Sequence, residues 1–296
     1  MNRIDAHHHL WSIARGDYGW LDPVANPALA PIARDFLLDE FRALAAAHGI
    51  SGSILVQAAA TRAETDWLLG EARRSNGLVL GVIGWLDLAA PDAPETIETM
   101  SRDPLLRGIR PMLQDLPDPE WILRPEVQPA LRAAARANLA LDLLVRGEHL
   151  PAALRLLERH PGLRAVVDHA AKPAIAGGAW SPWAEDLRRL ARETAVACKL
   201  SGLWTEAAPG TGADALRRYI DHLLECFGPE RLIWGSDWPV MTLATSYGGW
   251  IRAVDGFLGG LDESGRQRIL AGNALAFYAP AAPGSPGGLT PVSRTE

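Results

Sequence analysis

Eight short apolar runs recur along the chain, at 4–7, 53–57, 79–87, 106–111, 139–145, 163–169, 196–201 and 232–237. Most are near-continuously apolar rather than alternating, the pattern of strands covered on both faces. Between them lie segments such as PALRAAARANL, LPAALRLLERHPGL, WAEDLRRLARETA and ALRRYIDHLLECFG. Their apolar residues return every three or four positions with arginine and glutamate between, which predicts amphipathic helices. Several stop at glycine or proline, as in HPGL and FGPE. Strand and helix alternating eight times predicts an α/β fold, a closed (β/α)8 TIM barrel. A doubly wound open sheet is the alternative, but it would carry a glycine-rich first turn, and AHHHLW is not one.

One barrel is expected over residues 1–279, with a long first loop at 10–31 rich in Trp, Pro and Asp. The Pro/Gly/Ser-rich stretch 280–296 is expected to be a disordered tail. The 296 residues suit one such barrel, which typically takes roughly 250. A hydrophobic fraction of 48% supplies a large core. The net charge of −6 leaves no basic footprint, so nucleic acid is not an expected partner.

No apolar run approaches a bilayer span, and MNRIDAHHHLW has no signal-peptide pattern, so no membrane partner and a cytoplasmic location are expected. Two cysteines, Cys198 and Cys226, cannot build a disulfide framework, in keeping with a reducing compartment. Association with further copies of the chain stays open. Of the 29 basic residues only Lys172 and Lys199 are lysine, so both are worth locating.

In a barrel, functional residues sit where strands end and βα loops begin. The first run ends Asp5-Ala6-His7-His8-His9. Alternation along a strand points His7 and His9 one way and His8 the other. Two imidazoles on one face suit a transition metal or a polarised carbonyl. The bland reading, a surface cluster or tag remnant, fits poorly with a triplet between Ile4-Asp5 and Leu10-Trp11. The sixth run ends at His169 and the eighth at Asp237. Each alone would more often be structural. Strands one, six and eight can converge above the barrel, so three histidines and a carboxylate there form either a metal site or an acid/base cluster.

The ordered combination of IDAHHHLW, DHAAKP, CKLSGL and IWGSDWPV resembles the amidohydrolase superfamily, from Ile4 to Tyr278. More narrowly, it is similar to the metal-dependent-hydrolase-like branch that contains L-fuconolactonase, L-rhamnonolactonase and pyrone-dicarboxylate lactonase. The resemblance implies hydrolysis of a sugar-acid lactone, with Asp237 activating water and His7, His9 and His169 binding metal or polarising the carbonyl. Binuclear members use a lysine after the fourth strand and a histidine after the fifth. Here the fourth run ends Arg110-Pro111, and the fifth holds Asp142 but no histidine. One Zn2+ held by His7, His9, His169 and Asp237, or none, is therefore expected, with no organic cofactor.

Substrate contacts are expected from aromatic and polar residues at strand ends. Trp11, Trp85, Trp204 and Trp238 each follow a run and either wall the mouth, stacking on a sugar face, or pack as core. Trp67, Trp180 and Trp183 read as helix or loop packing. Gln57, Arg110 and Gln114 suggest recognition of hydroxyl or carboxylate groups, Arg110 foremost because a guanidinium fork suits a carbonyl. Lys199 lies within an apolar run, where a lysine is costly unless paired or at the wet mouth, so a substrate or supporting role is expected. Lys172 is expected to anchor the loop after His169 by pairing with an acid. His48, His149, His160 and His222 fall on helices or their ends and are expected to face solvent.

Two other functions compete with the lactonase reading. A mononuclear-metal decarboxylase or hydratase of an aromatic or carboxylic acid would use the same scaffold. A non-catalytic sugar-acid binding protein would keep the aromatic mouth but have no need of Asp237.

Overall fold

A computed structural model describes residues 2–279, so the expected tail at 280–296 lies outside the described residues. Eight strands form the sheet: β1 (Arg3–His8), β2 (Ile50–Val56), β3 (Val79–Gly84), β4 (Leu106–Ile109), β5 (Ala140–Leu143), β6 (Ala165–Val167), β7 (Ala197–Leu200) and β8 (Leu232–Trp234). Each pairs in parallel with the next in chain order. The last strand returns to the first beyond its own end. A parallel bridge joins His8 to Trp238, and the His9 N–H donates to the Trp238 carbonyl at 2.7 Å. Around this barrel run α1 (Leu38–Ala47), α2 (Arg62–Arg74), α3 (Ala93–Met100), α4 (Gln128–Arg136), α5 (Leu150–Arg159), α6 (Trp183–Glu193), α7 (Arg217–Arg231) and α8 (Tyr247–Phe257). The expected (β/α)8 architecture is the one observed.

The observed strands are shorter than most apolar runs. The sixth run covers 163–169, yet β6 ends at Val167, and the eighth covers 232–237, yet β8 ends at Trp234. Apolar character continues past the ladder because the chain there is still buried. His169 and Asp237 have φ of 52° and 63°, which is incompatible with a strand, so the chain leaves the sheet just where its functional side chains begin.

Two cores result. Inside the barrel Ile4, Ile54, Ile83, Val166 and Ile233 fill the space. Ala271, Ala274 and Tyr278 from the C-terminal helical segment join this inner core. Outside, wholly buried leucines such as Leu131, Leu156, Leu187 and Leu223 pack the helices on the strands. Truncating one of them to alanine costs roughly 2–5 kcal/mol. This double layer fixes the strand ends on which the site depends.

Candidate active site

The three consecutive histidines separate as strand alternation requires. His8 points outward, its ring stacked on Phe41 of α1 at 3.7 Å between centroids and its Nε2 3.0 Å from Ser53 Oγ. His7 and His9 turn inward, with their Nε2 atoms 3.3 Å apart. Asp237 joins them from the turn after β8, its carboxylate Oδ1 3.3 Å from His9 Nε2 and 3.8 Å from His7 Nε2. His169 completes the group, its Nε2 3.8 Å from the same oxygen. All four are buried.

Backbone geometry holds this convergence. The buried Asp5 accepts from the Ser236 N–H at 2.8 Å, Ser236 Oγ at 2.6 Å and Tyr247 Oη at 2.8 Å, tying β1 to the turn that carries Asp237. Burial lifts the Asp5 carboxyl to about 6 despite these bonds. His169, Ala170, Ala171 and Lys172 are four successive residues at positive φ. Such a stretch costs of order 1–3 kcal/mol per residue and persists only where its surroundings determine it. Trp183 Nε1 donates to the Ala170 carbonyl at 2.7 Å, and Lys172 pairs with Glu206 at 3.8 Å, the anchoring expected of that lysine. Gly202 lies against the His169 ring, where a Cβ would come within 2.5 Å of Nδ1.

Charge surrounds the cluster on the barrel side. Arg110 donates from Nη2 to the Gln57 carbonyl and from Nη1 to Asp168 Oδ2 at 3.3 Å, while Gln57 Nε2 donates to the Arg110 carbonyl at 2.8 Å. Arg110 Nη1 also lies 3.4 Å from His7 Nε2. Lys199 reaches inward from β7 to Asp142 and Asp168. Burial raises the Asp142 carboxyl to about 6, with Lys199 opposing the rise. Burial raises and Lys199 lowers Asp168 too, and there the neighbouring cations win, holding it well below the usual carboxylate range. Burial also works against ionised Asp237, but the surrounding imidazoles outweigh it and keep the group below its ordinary value. Burial pushes His169 down to about 4 and His7 well below its ordinary range, so both are neutral imidazoles at pH 7.

Of the residues expected to touch substrate, the structure gathers Arg110 and Lys199 with the histidines, sets Gln57 on Arg110 and Trp11 beside the His9 ring, and encloses several of them in the core. Trp11 is wholly buried, edge-on to Phe36 and Trp20, and Trp238 is packed between Phe36 and Phe41, so these two are core. Gln57 is also enclosed, and it orients Arg110. Lys199 has no exposed surface. Trp85, Gln114 and Trp204 remain half-buried. Two of the helix histidines correct the expectation of solvent exposure. His149 is buried with Nδ1 accepting from the Arg146 N–H at 3.2 Å, and His222 is buried against Trp180 and Trp183 with Nε2 donating to the Ala184 carbonyl at 2.9 Å. An aromatic cluster between α6 and α7 encloses His222, which helix periodicity alone does not reveal. His160 is half-buried, and His48 is exposed as expected.

Sequence reasoning passed over Glu64 and Asp168. Glu64 is buried and accepts from the Ala58 and Ala59 N–H groups at 3.0 and 2.8 Å, just past β2. The legible signal was Asp142 and Lys199, opposite charges in two apolar runs that can only be tolerated as partners.

The residues suit one divalent ion. Ligand atoms of His7, His9 and Asp237 lie within 4.8 Å of one another, as do those of His7, Asp168 and His169. The two groups share His7, and Asp168 already pairs with Lys199 and Arg110, so a second ion has no independent donor set. His9 Nδ1 lies 2.8 Å from the Val56 carbonyl, which leaves its Nε2 lone pair facing the Asp237 carboxylate.

The amidohydrolase family profile matches residues 4–279. An L-fucono-1,5-lactonase of Burkholderia ambifaria is 44% identical, over 93% of this chain and 95% of that protein. An L-fucono-1,5-lactonase of Burkholderia multivorans is 38% identical, over 94% and 96%. A crystal structure of a Burkholderia multivorans amidohydrolase with bound zinc superposes with a TM-score of 0.88 at 35% identity, covering 95% of this chain and all 100% of that one.

Proposed function

The chain belongs to the amidohydrolase family, and from that premise we propose that it hydrolyses a sugar-acid lactone of the L-fucono- or L-rhamnono-lactone type. The observation that carries the chemistry is the Asp237 carboxylate beneath three inward imidazoles, 3.3 Å from His9 and 3.8 Å from His7 and His169. Similarity to two L-fucono-1,5-lactonases supports the substrate class.

In this reading Asp237 accepts a proton from water as the water oxygen bonds to the lactone carbonyl carbon. The carbonyl oxygen becomes an oxyanion, held by N–H donors from His7 and Arg110. The ring C–O bond then breaks, and the departing alkoxide takes the proton from Asp237. One water is consumed and one hydroxy acid leaves. A lactone's alkoxide is an easier leaving group than an amide nitrogen, so the donors need to do less. An ion held by His9, Asp237 and a further imidazole would supply Lewis acidity at the same carbonyl. Half-buried Trp85, Trp204 and Gln114 are proposed to line the path to it.

No helix among the described residues is long and apolar enough to cross a membrane. Both cysteines are free, which supports a cytoplasmic site of action. The test is a pH-indicator assay over a panel of sugar-acid lactones with simple esters and amides as controls. Acid release from a six-carbon sugar lactone in preference to the controls is expected. Turnover of amides alone would overturn the reading.

A further inference from the structure

Lys199 is wholly buried and meets no substrate path, yet it sits against the first histidine of the site. A lysine ammonium carries three N–H donors and no acceptor. Around its nitrogen stand three groups, Asp142 Oδ2 at 2.5 Å, Asp168 Oδ1 at 3.0 Å and His7 Nδ1 at 3.1 Å. Of these, Asp142 Oδ2 and His7 Nδ1 are its hydrogen-bond partners while Asp168 Oδ1 stands beside it as an ion-pair neighbour, so the His7 nitrogen facing the ammonium must offer a lone pair. In a neutral imidazole the other nitrogen then carries the hydrogen. We propose that, in the site without a metal ion, Lys199 fixes the tautomer of His7, so that the Nε2–H of His7 points into the site as a hydrogen-bond donor to the substrate carbonyl oxygen. Lys199 is thus a positioning residue that acts through His7. The donor role rests on the lactone-hydrolase reading, whereas the tautomer does not.

His9 is set the opposite way. Its Nδ1 lies 2.8 Å from the Val56 carbonyl, which can only accept, so Nδ1 bears the hydrogen and Nε2 is bare. The 3.3 Å between the two Nε2 atoms then sets a donor against an acceptor. With the other His7 tautomer, two lone pairs would meet there and two donors would meet at Lys199. Two neighbours pull against the proposed state. Asp168 Oδ1, 3.5 Å from His7 Nδ1, would accept a hydrogen from it, but at a longer distance than Lys199. Arg110 Nη1, 3.4 Å from His7 Nε2, would favour a bare nitrogen, but Asp168 Oδ2 at 3.3 Å takes up its charge. The Lys199 ammonium 3.1 Å from Nδ1 leaves no place for a hydrogen on that nitrogen, so His7 carries a single ring hydrogen.

The experiment is 15N NMR of the imidazole nitrogens in chelator-treated protein, with the His7 signals assigned by their loss in His7→Gln. Wild type is expected to show His7 with its hydrogen on Nε2, and Lys199→Met to show it moved to Nδ1. With the donor withdrawn, kcat for the lactone should fall about 10²-fold while KM changes little. Hydrogen on Nδ1 in the wild-type spectrum overturns the proposal, and that spectrum decides even if Lys199→Met fails to fold. A folded Lys199→Met with unchanged kcat overturns the donor role. The expected tautomer in a protein that turns over no lactone would count against the hydrolase reading instead, leaving the assignment of Lys199 intact.

Discussion

The backbone N–H of Asp237 donates to the carbonyl of His7 at 2.8 Å, joining the two ends of the barrel at its functional centre. The carboxylate and the first imidazole are therefore placed by the same hydrogen bonds that close the sheet, with Asp5 bridging the two segments by accepting from the His7 and Ser236 N–H groups. Position is set by the fold itself rather than by mobile loops, which favours a pre-organised site.

Gly202 has φ of +64° and lies against His169, where a Cβ would come 2.5 Å from Nδ1. Gly202→Ala is expected to push the ring away from Ser201 Oγ, now 2.9 Å from Nδ1. Backbone strain adds roughly 1–3 kcal/mol of destabilisation. Lactonase activity should drop by more than the loss of folded protein explains, measured as kcat on protein shown to be folded by circular dichroism.

Glu64 carries a pH dependence. Burial raises its carboxyl to about 7, against the Ala59 and Ala58 N–H groups that favour the charged form. Its folded value lies above the free value, so the folded chain holds this proton more tightly than the unfolded chain. The resulting stability is complete at low pH and is lost as pH rises through about 7. The Tm of wild type should accordingly fall relative to Glu64→Gln between about pH 5 and pH 8. A constant difference across that window would remove Glu64 from the account.

The tryptophans divide by burial. Trp11 is wholly buried, so Trp11→Ala should lower stability by about 3–5 kcal/mol in denaturant unfolding. Trp204 is half-buried and its indole donates to the Thr211 carbonyl at 2.8 Å. Trp204→Ala should cost less stability and act mainly on KM for the lactone. Equal effects on both measurements would contradict the division.

The donor groups share His7, so metal analysis after zinc saturation should give at most one equivalent per chain. Two equivalents would require Asp168 to abandon Lys199 and Arg110, and would contradict the geometry described.

Much of this was legible in the chain. Strands buried on both faces reveal themselves as unbroken apolar runs, and alternation alone placed His8 outside and His7 and His9 inside. Run length did not reveal strand ends, since Asp168, His169 and Asp237 stay buried after the ladder stops. Tryptophans after strands were ambiguous because the long first loop folds back through the Trp11–Phe36 bridge and covers Trp11. His222 was misplaced because Trp183 of α6 and Trp180 just before that helix enclose it, a contact with no local signature.

The central claim is that the Asp237 carboxylate is the base. Asp237→Asn keeps the shape and the backbone bond to His7 but removes the proton acceptor. Steady-state hydrolysis of the preferred lactone, on protein with wild-type Tm, is predicted to fall by about 10²- to 10⁴-fold in kcat. Turnover within a few-fold of wild type would contradict it.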